Sequence, residues 1–252
     1  MTTSDILLSA KDITRRFGGL TAIDNVSIDV KRGAVHAVIG TNGAGKSTLV
    51  SVLAGELAPH QGSIMLNNED VTRWPQPKRA QAGLGRSYQH TTIFPSLTVH
   101  ENCRVTAQAR HQHFWNWLTP AKTCTQSNEA ADRAIELAGL SAHRNTVADL
   151  LSHGAKRQLE IAMSLATGPM VLLLDEPLAG MGSEETDRML ALLESLKAEH
   201  AILLIEHDMD AVFRISNEIT VMVNGVVIAH GDPLSIRNDP QVQTAYLGDD
   251  DE

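Results

Sequence analysis

This sequence predicts an α/β fold: a largely parallel sheet flanked by helices, preceded by an antiparallel β-layer and carrying a helical insert. Three observations predict it. Short, uninterrupted apolar runs at 171–174 and 201–205 read as strands buried on both faces, as in a parallel sheet. Gly40-Thr41-Asn42-Gly43-Ala44-Gly45-Lys46-Ser47-Thr48 fits the phosphate-binding pattern G-x-x-x-x-G-K-[ST]. From about residue 89 to 152 strand-like runs disappear, and apolar residues come at helical spacing, as in Ala130, Ala134, Leu137 and Ala138.

Taken in order, residues 7–30 alternate well enough for two strands, with Arg16-Phe17-Gly18-Gly19 as their turn. Residues 34–39 form a short buried strand and 47–54 a helix, so the phosphate loop has the strand–loop–helix context it needs. A hairpin is expected around residues 62–67, and Pro75 and Pro77 are expected to interrupt the element after it. After the insert, a helix at 155–166 ends at Gly168-Pro169. Then follow a strand (171–174), a helix (184–197), a strand (201–205), a helix (209–215) and a β-pair (219–230). The acidic end, residues 249–252, is expected to be frayed and solvated.

Composition narrows the function. The 252 residues are 42% hydrophobic and 20% charged, ordinary for a globular protein, and the net charge of −9 argues against a broad nucleic-acid surface. The two cysteines, Cys103 and Cys124, lack metal-site spacing and are read as incidental thiols. The N-terminal residues lack a secretory pattern, and no apolar run approaches the roughly 18–20 residues needed to cross a bilayer. Membrane association is therefore expected through a partner.

In the phosphate loop, glycines let backbone N–H groups curl around phosphate oxygens, and the helix that follows offers its positive end to the same anion. Lys46 is expected to reach the β- and γ-phosphates and the Ser47 hydroxyl to hold Mg²⁺. In Leu174-Asp175-Glu176-Pro177 an apolar strand delivers acid beside the loop: Asp175 to orient Mg²⁺, Glu176 to accept a proton from attacking water.

With Leu151-Ser152-His153-Gly154-Ala155 the chain resembles the ABC ATPase family, whose signature is LSGGQ. Here His153 replaces a glycine and Ala155 the glutamine, while Ser152 and Gly154 remain. The resemblance spans essentially the whole chain. It implies a single ABC ATPase domain over residues 1–252, with a P-loop NTPase (RecA-like) and β core at 1–88 and 159–230. The Q-loop and helical subdomain would occupy 89–158, and a C-terminal tail 231–252.

It also implies site roles. In Ser87-Tyr88-Gln89-His90, Gln89 would sense the Mg²⁺–nucleotide site; His207 would be the switch histidine at the γ-phosphate; Phe17 would stack on adenine, with core packing as the alternative. Ser152 and Gly154 would close over ATP held by a second subunit. Leu178-Ala179-Gly180-Met181-Gly182 takes the D-loop place but departs from the usual SALD. Residues 89–101, rich in apolar side chains, are the expected permease contact. Trp115 and Trp117 are either a partner patch or insert core.

Finer motifs, among them Arg157-Gln158-Leu159-Glu160-Ile161-Ala162, Ile205-Glu206-His207-Asp208-Met209 and Ala245-Tyr246-Leu247-Gly248, resemble the ATPases of branched-chain or hydrophobic amino-acid importers. The implied protein is a peripheral ATPase on the cytoplasmic face of the membrane. It would use ATP and Mg²⁺ and pair with membrane permeases and a second, like or unlike, ATPase subunit. A substrate-binding protein would act only indirectly. Urea and short-amide importers share these motifs. A soluble ABC ATPase acting on nucleic acid would call for a second cassette, a long coiled-coil insert or a basic surface. A GTPase would need an N-K-x-D segment, which is missing.

Overall fold

Two five-residue strands buried along their whole length, β7 (Val171–Asp175) and β8 (Ala201–Ile205), form the middle of the molecule. The structure, a computed structural model, describes residues 5–87, 92–111 and 124–247. β8 also pairs in parallel with β3 (Val35–Gly40), and β3 with β9 (Glu218–Val223). With β6 (Leu84–Arg86) and β10 (Val226–Gly231) they make a six-stranded sheet of order β10-β9-β3-β8-β7-β6, parallel except at β10. Apolar side chains on both faces explain the unbroken hydrophobic runs.

A second, antiparallel sheet has the order β2-β1-β4-β5: β1 (Ile6–Phe17), β2 (Leu20–Lys31), β4 (Gln61–Leu66) and β5 (Glu69–Asp70). Helix α1 (Lys46–Ala54) and both sheets contribute to one core. A separate core joins α3 (Val99–His111), α4 (Thr125–Leu137) and α5 (His153–Leu165) to α6 (Ser183–Leu196) and to β7 and β8. Helices α3 and α4 fall in the region read as a helical insert, and α5 is the helix read after it at 155–166.

The structure departs from expectation in three places. Pro75 and Pro77 do not interrupt an element; they open α2 (Gln76–Gln81), with Pro75 at the N-cap. A first-turn N–H has no helical partner, so proline costs nothing there. β6 was not expected, because three residues centred on Gly85 carry too little pattern. Beyond α7 (Met209–Ile215) and β10, the segment read as a tail contains α8 (Pro233–Arg237) and α9 (Pro240–Leu247). Asp232 caps α8 by accepting from the Leu234 and Ser235 N–H groups, and Val242 and Ile236 bury against β9. Residues 249–252, Trp115 and Trp117 lie outside the described residues.

Two buried side chains hold the phosphate-loop supports. Arg79 donates to the carbonyls of Val52 (2.8 Å) and Leu53 (2.6 Å) at the end of α1, and to those of Thr72 and Trp74. A cation at that end also complements the helix dipole. Beneath the loop, His36 on β3 has Nδ1 facing the Asp29 carbonyl at 2.8 Å, so Nδ1 carries the proton. Its Nε2 therefore accepts from the Thr220 hydroxyl (2.8 Å), which in turn accepts from His230 Nδ1 (3.0 Å).

Burial pushes the His36 pKa from 6.5 down to about 4. The unfolded chain thus takes up a proton below pH 6.5 that the folded chain refuses until about pH 4. The associated stability is fully present above pH 6.5 and drains away as pH falls toward 4, amounting to about 3 kcal/mol. Urea midpoints at pH 7 and pH 4.5 should differ less in His36→Gln than in the native protein. An equal drop in both would rule out His36 as the source.

Candidate functional site

The loop between β3 and α1 turns through Gly43 (φ 80°) and Gly45 (φ 96°), conformations that a Cβ disfavours. At Gly45, the N-cap of α1, a Cβ would also run into the Ala22 carbonyl of β2. The loop therefore lies against the second sheet, with the first N–H groups of α1 facing a cavity of about 620 Å³. Asn42, Gly43, Ala44, Gly45, Lys46, Ser47 and Thr48 line it, joined by Phe17, Thr21 and Ala22, by Glu176, and by Asn224 and Gly225 of the β9–β10 turn. Gly40 and Thr41 sit behind, their carbonyls accepting from Lys46 Nζ at 2.6 and 3.0 Å. Burial pulls the Lys46 pKa down, and the Glu176 and Asp175 carboxylates pull it back up.

β7 delivers the acids. Asp175 is buried, its Oδ1 without a hydrogen-bond partner among the described residues, and burial raises its pKa. Glu176 reaches the cavity wall from a left-handed backbone (φ 50°), a strained conformation for a non-glycine residue. Its N–H donates to the Ile205 carbonyl (2.9 Å). Strain of this kind, next to an anion cradle, is characteristic of functional positions.

Glu206, the residue after β8, is fully buried, with a pKa raised by desolvation. Its carboxylate accepts from the Leu178 N–H (2.8 Å) and the His207 N–H (3.2 Å). It thus ties the loop after β7 to the exposed His207, which is not on the wall of the phosphate-loop cavity. Sequence reasoning had no role for Glu206, although a carboxylate ending an apolar strand is a signal. It also missed Asn224 and Gly225, whose turn is far away in the chain.

Ser152 caps α5 by accepting from the Ala155 N–H (3.2 Å). Ser152 and Gly154 line a second cavity, of about 220 Å³, together with Glu185 and Met181. The Glu185 carboxylate lies over Gly154, and the His153 ring packs against Gly180. Phe17 is half exposed on the first cavity and belongs to no hydrophobic core. Gln89 lies outside the described residues.

Residues 23–179 match the family described as ABC transporter, and residues 226–252 match the branched-chain amino acid ATP-binding cassette transporter family. The high-affinity branched-chain amino acid transport ATP-binding protein LivG of Salmonella typhimurium is 41% identical over 98% of this chain and 99% of its own. The corresponding protein BraF of Pseudomonas aeruginosa is 39% identical over 96% and 98%. A solved structure of the ADP conformation of an ATP-binding cassette of an ABC transporter superposes with a TM-score of 0.87 at 31% identity, covering 98% of this chain and all of its own. The nucleotide cradle gives a direct test. Gly45→Ala should cost about 2 kcal/mol or more in stability, from left-handed strain plus the backbone collision. It should also weaken binding of a fluorescent ATP analogue at least about tenfold, a loss of about 1.4 kcal/mol in affinity. Native stability and affinity in that variant would mean that the loop does not need glycine.

Proposed function

The chain belongs to the ABC transporter ATP-binding family, and we propose that it is the ATP-hydrolysing subunit of a prokaryotic importer of branched-chain or other hydrophobic amino acids. The observation that carries this reading is the near-full-length identity of about 40% to branched-chain amino acid transport ATP-binding proteins, reinforced by the C-terminal family match. Among the described residues no helix is long and apolar enough to cross a membrane. In this reading the subunit sits peripherally on the cytoplasmic face, bound to permeases. A binding protein and the permease select the cargo, so the same motor would serve a urea or short-amide importer.

The chemistry follows from the residues. ATP phosphates would enter the cradle of Gly43, Gly45 and the α1 N–H groups, and Lys46 would exchange the Gly40 and Thr41 carbonyls for phosphate oxygens. Phe17 would stack on adenine. Mg²⁺ fits the donor set: Asp175 Oδ1, without a hydrogen-bond partner among the described residues, and the Ser47 hydroxyl would be hard oxygen ligands, and Gln89, which lies outside the described residues, would be a third. When bound, it would neutralise charge on the phosphates. Glu176 would take the proton of the attacking water, and His207, held through Glu206, would contact the γ-phosphate.

Among the described residues, one subunit would offer donors on only one side of that phosphate. Ser152 and Gly154 line a different cavity, which supports a head-to-tail dimer in which a partner's pair would close over the phosphate. The partner is a second copy or a related ATPase. Residues 1–88 and 159–230 would act as the nucleotide core and 89–158 as the lever. The permease would dock near 89–101, where Phe94 stands 45% exposed and nearby Leu150 77% exposed.

Glu176→Gln should lower steady ATP hydrolysis by about 10²–10⁴-fold while ATP binding persists, because the cradle is intact. Lys46→Ala should instead weaken binding itself. Near-normal turnover in Glu176→Gln rejects the base assignment; equilibrium binding of a fluorescent ATP analogue distinguishes the two variants. Ser152→Arg should bind nucleotide yet fail to dimerise with ATP, as followed by light scattering. Full hydrolysis by a strictly monomeric protein would overturn the shared-site reading.

A further inference from the structure

We propose that Arg15 is a specificity-determining residue for the nucleotide base: its guanidinium backs one face of the Phe17 ring and presents the other to a purine. The inference rests on the reading of Phe17 as the base-stacking residue.

The two side chains lie two apart near the end of β1, and the β1–β2 register shifts on both sides of Arg15, between Ile13 and Arg15 and between Arg15 and Arg16. Such irregularities re-aim side chains beside functional sites. Here they bring the Arg15 Cζ to 4.9 Å from the Phe17 ring centroid, well inside cation–π range. The guanidinium is not free to swing. Its Nη1 donates to the Ala58 carbonyl at 2.8 Å, on the chain that leaves α1. Its Nε is buried with no hydrogen-bond acceptor among the described residues. That donor is given up in a position over an aromatic ring, where the ring's electron density is the remaining stabilising group.

Phe17 itself is 44% exposed and stands on the wall of the phosphate-loop cavity, whereas Arg15 is not part of that wall. The cation therefore occupies the rear of the ring and leaves a face toward the cavity. Two consequences follow. The ring is held in one orientation before ligand arrives, which lowers the ordering cost of stacking. The charge also draws ring electron density to the rear, leaving the open face electron-poorer and better matched to an electron-rich purine than to a smaller, less polarisable pyrimidine. Because Arg15 contacts Ala58, the orientation of this platform is set from the exit of the same helix whose N-terminus faces the phosphates.

The test compares ATP with inorganic tripolyphosphate, which has the charge but no base, by calorimetric titration of the full-length protein. Arg15→Met should raise the ATP Kd about two- to fivefold and leave the tripolyphosphate Kd unchanged. In a Phe17→Ala background the same substitution should add nothing. Equal weakening of both ligands would show that Arg15 acts only as a distant positive charge and would overturn the proposal. So would an unchanged ATP Kd in Arg15→Met when Phe17→Ala weakens ATP. If Phe17→Ala itself leaves ATP affinity unaltered, the stacking reading fails and the proposal falls with it, a result distinguishable from the other two. Should Arg15→Met not fold, Arg15→Lys carries the test. It keeps the charge and stem but loses the planar group, and must show a partial, base-dependent loss.

Discussion

Parallel pairing makes the strands of the central sheet release their chemistry at one edge. Ile205 of β8 stands opposite Val38 of β3 on one side and Asp175 of β7 on the other. The residues that follow, Gly40 with its loop, Glu176, and Glu206 with His207, therefore emerge side by side although they lie far apart in the chain. Burial on both faces keeps these strands apolar, so charge can appear only where they end. It does so under electrostatic tension. Burial raises the pKa of Asp175 and of Glu206 and lowers that of Lys46. Each charged form is disfavoured in isolation. The ammonium is retained by two carbonyls and two nearby carboxylates. A bound triphosphate, with the divalent ion proposed to accompany it, would supply the charges this edge is short of.

This dependence on strand ends explains what was legible in advance. The apolar runs at 171–174 and 201–205 and the glycine spacing of 40–48 are local patterns with local physics, and the strands, α1 and the phosphate loop follow from them. α7 was read at its observed bounds, and in the structure Asp208 caps it by accepting from the Ala211 N–H. β6, three residues centred on a glycine, carries too little pattern to be recognised, and the short helices α8 and α9 lie in the segment read as a tail. Pro75 and Pro77 were read as breakers when they are starters, since a proline's meaning depends on which turn of a helix it occupies. The cavity was only half legible. Its floor is a motif, but its far wall, Ala22 with Asn224 and Gly225, comes from backbone packing of one sheet on another. Neither spacing nor composition encodes that contact.

Two of the departures from the family pattern, a bulky His153 in the signature and Gly180-Met181-Gly182 in the D-loop place, prove to be neighbours. The His153 ring lies where a side chain at residue 180 would stand, with Cε1 3.3 Å from an ideal Cβ. A glycine there both provides the room and adopts the left-handed backbone (φ 76°) that the loop requires. Taken singly, each substitution weakens the match to the family. In contact, they read as one repacked junction between α5 and the loop leading to α6.

Glu206 shows why a buried carboxylate persists at such a place. A desolvated carboxylate is costly unless its oxygens are met by donors. Here each oxygen receives one backbone N–H, from Leu178 on one side and His207 on the other. An apolar residue would remove the desolvation cost but would leave the buried Leu178 N–H and the part-buried His207 N–H without this acceptor, an opposing penalty. The carboxylate therefore costs little net stability, and it fixes a geometric relation. The loop that follows Glu176 and the residue proposed to contact the γ-phosphate are held to the two oxygens of one rigid group. Displacement of either backbone strains the other's hydrogen bond. A single planar anion at the strand edge can thus link the state of the nucleotide to the loop that leads into the proposed dimer face.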